Sequence, residues 1–149
     1  MAFHGNSRYV YIAEPTSIRR FDSVSGMVST VASGLTYAQG VWTDGAFAYI
    51  SDKSAIRRLD LGTGELRTIA GSLTEAGSAD GTGSEARFNS LGSLWGDGSN
   101  LYIIDQYSAI RKLDLATGNV TTLFRRGTFR GIWGKAATFT YAIPGLFES

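Results

Sequence analysis

The chain has 149 residues, 43% of them hydrophobic and 18% charged, with a formal net charge of +1. That balance excludes a disordered or fibrous chain and gives no global pull toward nucleic acid or an anionic membrane. With no Cys and a single His, His4, the chain has no disulfide framework, no thiolate nucleophile and no His-rich metal site. The N-terminal residues lack a basic segment followed by an apolar one, and no apolar run approaches the ~20 residues of a bilayer span. A soluble, unprocessed chain with no membrane partner is therefore expected.

In chain order, one pattern returns three times. Tyr9 to Gly34 is followed by a related stretch from Ala48 to Gly71 and another from Leu101 to Gly127. Ile18, Arg19 and Arg20 recur as Ile56, Arg57 and Arg58, then as Ile110, Arg111 and Lys112. Asp22 recurs as Asp60 and Asp114, and Gly26 as Gly64 and Gly118. Within the second unit, four short β-branched and aromatic runs are predicted as strands around Val41 to Thr43, Ala48 to Ser51, Ile56 to Leu61 and Glu65 to Ala70. Asp44-Gly45 and Thr63-Gly64 between them are hairpin signals, because Gly supplies positive φ without a Cβ clash. The Asp-to-Asp step is 38 residues first and 54 next, and the excess is a Gly, Ser and Thr rich stretch from Ser72 to Phe88, read as an inserted loop. A fourth unit opens with Gly131-Ile132-Trp133, matching Gly40-Val41-Trp42 and Ser93-Leu94-Trp95, but shows no further Ile-Arg-Arg element. No sustained 3.6-residue apolar stripe occurs, so almost no helix is expected.

Repeated four-stranded antiparallel units of about 40 residues are the signature of β-propeller blades. A β-sandwich has no need of the same Trp, Ile-Arg-Arg, Asp and Gly in each unit, whereas stacked blades meet their neighbours through equivalent faces. The predicted fold is all-β, a β-propeller whose ring is incomplete in one chain. Its parts are blade 1 at about 1–34, blade 2 at about 35–71, the inserted loop at 72–88, blade 3 at about 89–127 and a half blade at 128–149.

The units resemble bacterial NHL repeats. The resemblance rests on Gly40 to Gly45, Tyr49 to Asp52, Ile56 to Asp60 and Thr63-Gly64 to Gly71, and the inserted stretch is similar to a connector between blades of that family. The pattern departs at Glu14-Pro15, at His4 in the position of Trp42, and at Lys135-Ala136 in the fourth unit, so the first and last units are the ones whose completeness the sequence leaves open. The resemblance implies a six-bladed ring and a bacterial secreted or surface context. Three and a half units fall short of the usual four to eight blades, so the expected partner is a second copy closing a ring as a homodimer, or the remainder of a longer propeller.

Strand reversal puts the loops between strands two and three, and those between blades, on one face. That face gathers the candidate site residues Glu14, Asp52 and Asp105 with their sequence neighbours Arg19, Arg57 and Arg111, and with the whole insertion. The carboxylates read first as turn caps or ion pairs of the nearby arginines and second as metal ligands. No catalytic residue, metal site or cofactor is assigned. The basic dipeptides alternate sides of their strand, which counts against a nucleic-acid surface. Trp42, Trp95 and Trp133, each two residues after a small residue, read as wedges between blades, with an aromatic-lined channel as the other reading. Tyr11, Tyr49 and Tyr102 read as packing residues, and Ala86 and Phe88 as anchors of the insertion. The function expected is a non-catalytic propeller scaffold for self-assembly and protein or glycan interaction. The alternatives are a metal-dependent, lactonase-like or lyase-like six-bladed enzyme, and a propeller fragment that only self-assembles.

Overall fold

The computed structural model describes residues 2–5, 8–106 and 108–126 of the chain. The half blade expected at 128–149, Trp133 included, lies outside them. The described residues form thirteen strands and one three-residue 3-10 turn. Blade 1 comprises β1 (Ala2–Gly5), β2 (Tyr9–Glu14), β3 (Ser17–Asp22) and β4 (Val28–Ser33), paired in that order. Blade 2 comprises β5 (Ala38–Thr43), β6 (Phe47–Asp52), β7 (Ala55–Asp60) and β8 (Leu66–Gly71). After the short β9 (Gly81–Thr82), blade 3 follows as β10 (Leu91–Gly96), β11 (Asn100–Asp105), β12 (Ala109–Asp114) and β13 (Asn119–Arg125). All pairings are antiparallel, and the fold is that of consecutive β-propeller blades. Blade 1, with its unusual His4 and Glu14-Pro15, has all four strands.

The recurring Asp residues explain the turns. The carboxylate of Asp60 accepts the amides of Gly62 and Thr63 at 2.8 and 3.0 Å, and Asp114 does the same for Ala116 and Thr117 at 2.9 and 3.2 Å. Gly64 and Gly118 then take φ values of 81° and 78°, which a side chain would disfavour. Asp44 and Asp97 close the first hairpins of blades 2 and 3 in the same way. Each sheet also carries a β-bulge between its third and fourth strands, at Ile18/Arg19, Ile56/Arg57 and Ile110/Arg111. In each blade the extra residue lies on the outer strand, Val31, Ile69 or Leu123, opposite the step into the arginine.

Two apolar clusters lie at the junctions. Tyr11, Ile18, Leu35, Val41, Ile50 and Leu59 fill the space between blades 1 and 2. Trp42, Ile56, Phe88, Leu94, Leu101 and Ile103 fill that between blades 2 and 3. Each fully buried side chain of this kind is worth roughly 1.5–3 kcal/mol of transfer free energy. Junction contacts run from β1 and β2 to β5, and from β5 and β6 to β10, so the blades form an arc in chain order.

The insertion departs from the loop expected. It contains β9 and the 3-10 turn Gly83–Glu85, and β9 pairs with the outermost strand of blade 3 through Asn119↔Thr82 and Val120↔Gly81. Those partners sit beside the Thr117-Gly118 turn, at the opposite end of the blade from the loop face. The amide of Gly83 donates to the Gly118 carbonyl there at 2.9 Å. The insertion therefore does not belong wholly to the loop face. It descends the outer edge of blade 3 and returns, held by Ala79 and Arg87 (2.9 Å) and by Gly77 and Phe88 (3.0 Å). Ala86 and Phe88 are fully buried beneath it. An edge strand presents unpaired backbone groups, and this segment covers one such edge.

Candidate functional site

The loops joining the second and third strands are built around an unusual backbone. Lys53 and Gln106 hold φ of 58° and 53°, the left-handed region that L residues seldom occupy. Each sits directly after the acid ending its strand, Asp52 or Asp105. The amide of Lys53 donates to the Tyr37 carbonyl at 3.0 Å, and that of Gln106 to Ser90 at 3.0 Å, tying the loop to the start of its own blade. The Lys53 carbonyl meanwhile accepts the Leu91 amide of the next blade at 2.9 Å. A single residue thus joins two blades. In blade 1 the position is Pro15, which has no amide to give and whose fixed negative φ excludes the left-handed form. It keeps only the forward link, its carbonyl accepting Ala38 at 2.9 Å.

The three candidate carboxylates divide accordingly. Asp52 is fully buried; one oxygen accepts the amides of Thr36 and Tyr37 at 2.9 and 2.6 Å, and the other takes Arg57 at 3.0 Å. Asp105 repeats the arrangement with Asn89, Ser90 and Arg111, at 3.0, 3.2 and 3.0 Å. Both are structural clips whose acceptor sites are occupied within the fold. Glu14 differs. Its carboxylate takes the Ser17 hydroxyl at 2.9 Å, lies 3.9 Å from Arg19 and is 41% exposed.

Arg111 is enclosed completely. Its guanidinium donates to Asp105, to the carbonyls of Arg87 (2.9 Å) and Ala79 (3.0 Å) and to Asp80 (3.0 Å), and stands 4.9 Å from the centre of the Phe88 ring. Asp80 also accepts the Thr122 hydroxyl at 2.7 Å and its amide at 3.2 Å. Burial works against the charge on Asp80, yet the hydrogen bonds from Thr122 and Arg111 outweigh it and hold the carboxyl below its ordinary value. Asp80 was not among the residues expected to act here, because its partner lies 31 positions away and only the folded insertion brings them together.

Strand alternation separates the basic dipeptides. Arg19, Arg57 and Arg111 turn to the carboxylates, while Arg20 lies 4.7 Å from the centre of the Tyr9 ring and Arg58 4.7 Å from that of Phe47. No continuous basic patch arises from them.

The tryptophans belong to the junctions. Trp42 is buried and stacks on Tyr49 at 5.9 Å, and a Cβ placed on Gly96 of the next blade would stand 2.6 Å from its ring. The ring therefore lies against bare backbone. Trp95 stacks on Tyr102 at 6.3 Å in the same way but is half-buried. Tyr49 and Tyr102 have their phenol pKa raised, in both cases first by burial and then by the neighbouring Asp44 or Asp97 carboxylate. Gly40 plays a similar close-approach role: a Cβ there would meet the Leu94 methyl at 2.9 Å and the Gly92 carbonyl at 3.1 Å.

What the loop face offers a ligand is modest. A shallow cleft of about 150 Å³ lies between the first two blades, lined by Glu14, Pro15, Tyr37 and Gln39 among others. Its half-exposed carboxylate and exposed Tyr37 ring suit hydrogen-bonding and stacking contacts. Among the described residues, no three His, Cys, Asp or Glu side chains gather closely enough to hold a metal ion, and no helix is long and apolar enough to cross a membrane.

No protein-family model and no curated protein matches the chain. Solved structures do. An auxiliary nutrient binding protein from Bacteroides ovatus ATCC 8483 is similar at 24% identity and a TM-score of 0.65, covering 82% of this chain and 35% of its own. A structural genomics protein of unknown function from Bacteroides thetaiotaomicron VPI-5482 matches at 23% identity and 0.63, over 82% and 34% of the two chains. The computationally designed Ika4 protein matches at 12% identity and 0.57, over 85% of this chain and 71% of that one. These likenesses establish the fold. The chain spans about a third of the length of the two Bacteroides proteins.

Proposed function

We propose that the chain is a non-catalytic propeller module of the NHL-repeat type, which completes its ring with further blades and works through the surfaces it offers to protein or glycan. The observation that carries this reading is the arc. Blades 1 and 3 both meet blade 2, whereas a closed propeller takes about four to eight blades. Uncovered blade faces and sheet edges are an aggregation hazard that ring closure removes. A second copy supplies the missing blades by symmetry, and the rest of a longer propeller supplies them in the other case. The internal use of Asp52, Asp105, Arg57 and Arg111 supports a binding rather than a catalytic role, as does the likeness to an auxiliary nutrient binding protein. A bacterial secreted or surface setting belongs to the same reading.

The test is native mass by light scattering on a sizing column across a dilution series. A discrete particle near twice 16.0 kDa supports closure by self-association. A monomer at every concentration directs the search to a longer propeller. Melting with millimolar calcium and with EDTA tests the non-catalytic part, and a clear metal-dependent shift in midpoint counts against it.

A further inference from the structure

The junction between blades 2 and 3 is a template for what the outer faces accept. Its key is an indole on bare backbone, Trp42 over Gly96. Register fixes the equivalents. Trp42 pairs with Tyr49, Trp95 with Tyr102 and His4 with Tyr11 on the neighbouring strands. The residue that follows is Thr43, Gly96 or Gly5, pairing with Ala48, Leu101 and Val10 respectively. Within the chain, blade 2 carries Thr43 in this position, and the residue in register with Trp42 on β1 is His4. Blade 3 carries Gly96 and faces Trp42.

Blade 1 carries Gly5 in this register position, a glycine as in blade 3. Blade 3 ends the described arc with Trp95, stacked on its tyrosine as Trp42 is but only half-buried. We infer that the trailing face of blade 3 docks on the leading face of blade 1 of a second copy, with Trp95 lying over the partner's bare β1 backbone at Gly5 as Trp42 lies over Gly96. This rests on the self-association reading above and names the surfaces through which it acts. The competing occupant of the Trp95 face is the chain's own Gly131-Ile132-Trp133-Gly134 stretch, which repeats the Trp-Gly pair in sequence.

The test uses the full chain in light scattering across a dilution series, with Gly5→Val and Gly134→Val beside the parent. A side chain forced into a filled junction is expected to weaken the dimer about 10- to 100-fold for Gly5→Val. Gly134→Val is expected to leave it unchanged, and the dissociated Gly5→Val monomer to keep the parent's circular dichroism. Should Gly5→Val fail to fold, Gly5→Ala carries the same test, since a Cβ alone at Gly96 would come within 2.6 Å of the ring. A parent dimer that Gly5 substitutions leave equally tight overturns the pairing while the self-association reading stands. Loss of the dimer in Gly134→Val assigns Trp95 to its own chain and overturns the pairing likewise. A parent that is monomeric throughout overturns both.

Discussion

Arg19 in blade 1 and Arg111 in blade 3 occupy the same position of the same strand, beside the same bulge, yet the first is 35% exposed and the second is wholly enclosed. Arg57 stands between them at 13%, with Asp52 as its acidic partner. The motif is constant and the surroundings are not. What differs is the connector: the Ser72 to Phe88 segment brings Asp80, two carbonyls and the Phe88 ring to Arg111 alone. A repeated residue therefore takes its energetic weight from the segment that joins its blade to the one before.

That comparison is breakable. Phe88→Ala empties the site beneath both the insertion and Arg111 and is expected to destabilise by about 3–5 kcal/mol in chemical denaturation. Arg111→Leu leaves Asp105 buried without its counter-charge and is expected to cost about 3–5 kcal/mol, against about 0–1 kcal/mol for Arg19→Leu. Equal effects for the two would mean that the insertion adds nothing to the motif. Asp80→Asn, at a half-exposed carboxylate, is expected to cost about 1 kcal/mol and to speed amide exchange at Thr122.

Acid gives a graded version of the same test. Because the folded-state pKa of Asp80 lies below 3.8, its contribution is complete above the unfolded value and fades as pH falls through the folded one. Below about pH 3.8, then, exchange protection at Thr122 should drop further in the parent than in Asp80→Asn, and protection in β3 should not track it. Parallel loss in both proteins would place the acid response elsewhere.

The sequence made the blades legible because turn chemistry is local. Asp60 with Gly64 and Asp114 with Gly118 announce each hairpin within a few residues, and the regular return of Ile-Arg and Trp marks the stack. The ion pairs Asp52–Arg57 and Asp105–Arg111, five and six residues apart, were within reach of the same reasoning. The β9 pairing was not. Gly81-Thr82 has no alternating apolar pattern and becomes a strand only because the β13 edge is there to bond. The left-handed Lys53 and Gln106 were hidden for a related reason: nothing in either residue type favours positive φ, and the conformation is imposed by hydrogen bonds to other parts of the fold.

The Trp42–Gly96 contact also limits how such an array can grow. A tandem duplication of blade 2 would set one Trp42 against the next Thr43, where the equivalent glycine has no room even for a Cβ. A duplication of blade 3 would set Trp95 over another Gly96 and meet no such obstacle. The units look interchangeable in alignment, but their order is written in steric terms, and only some of them can be copied next to themselves.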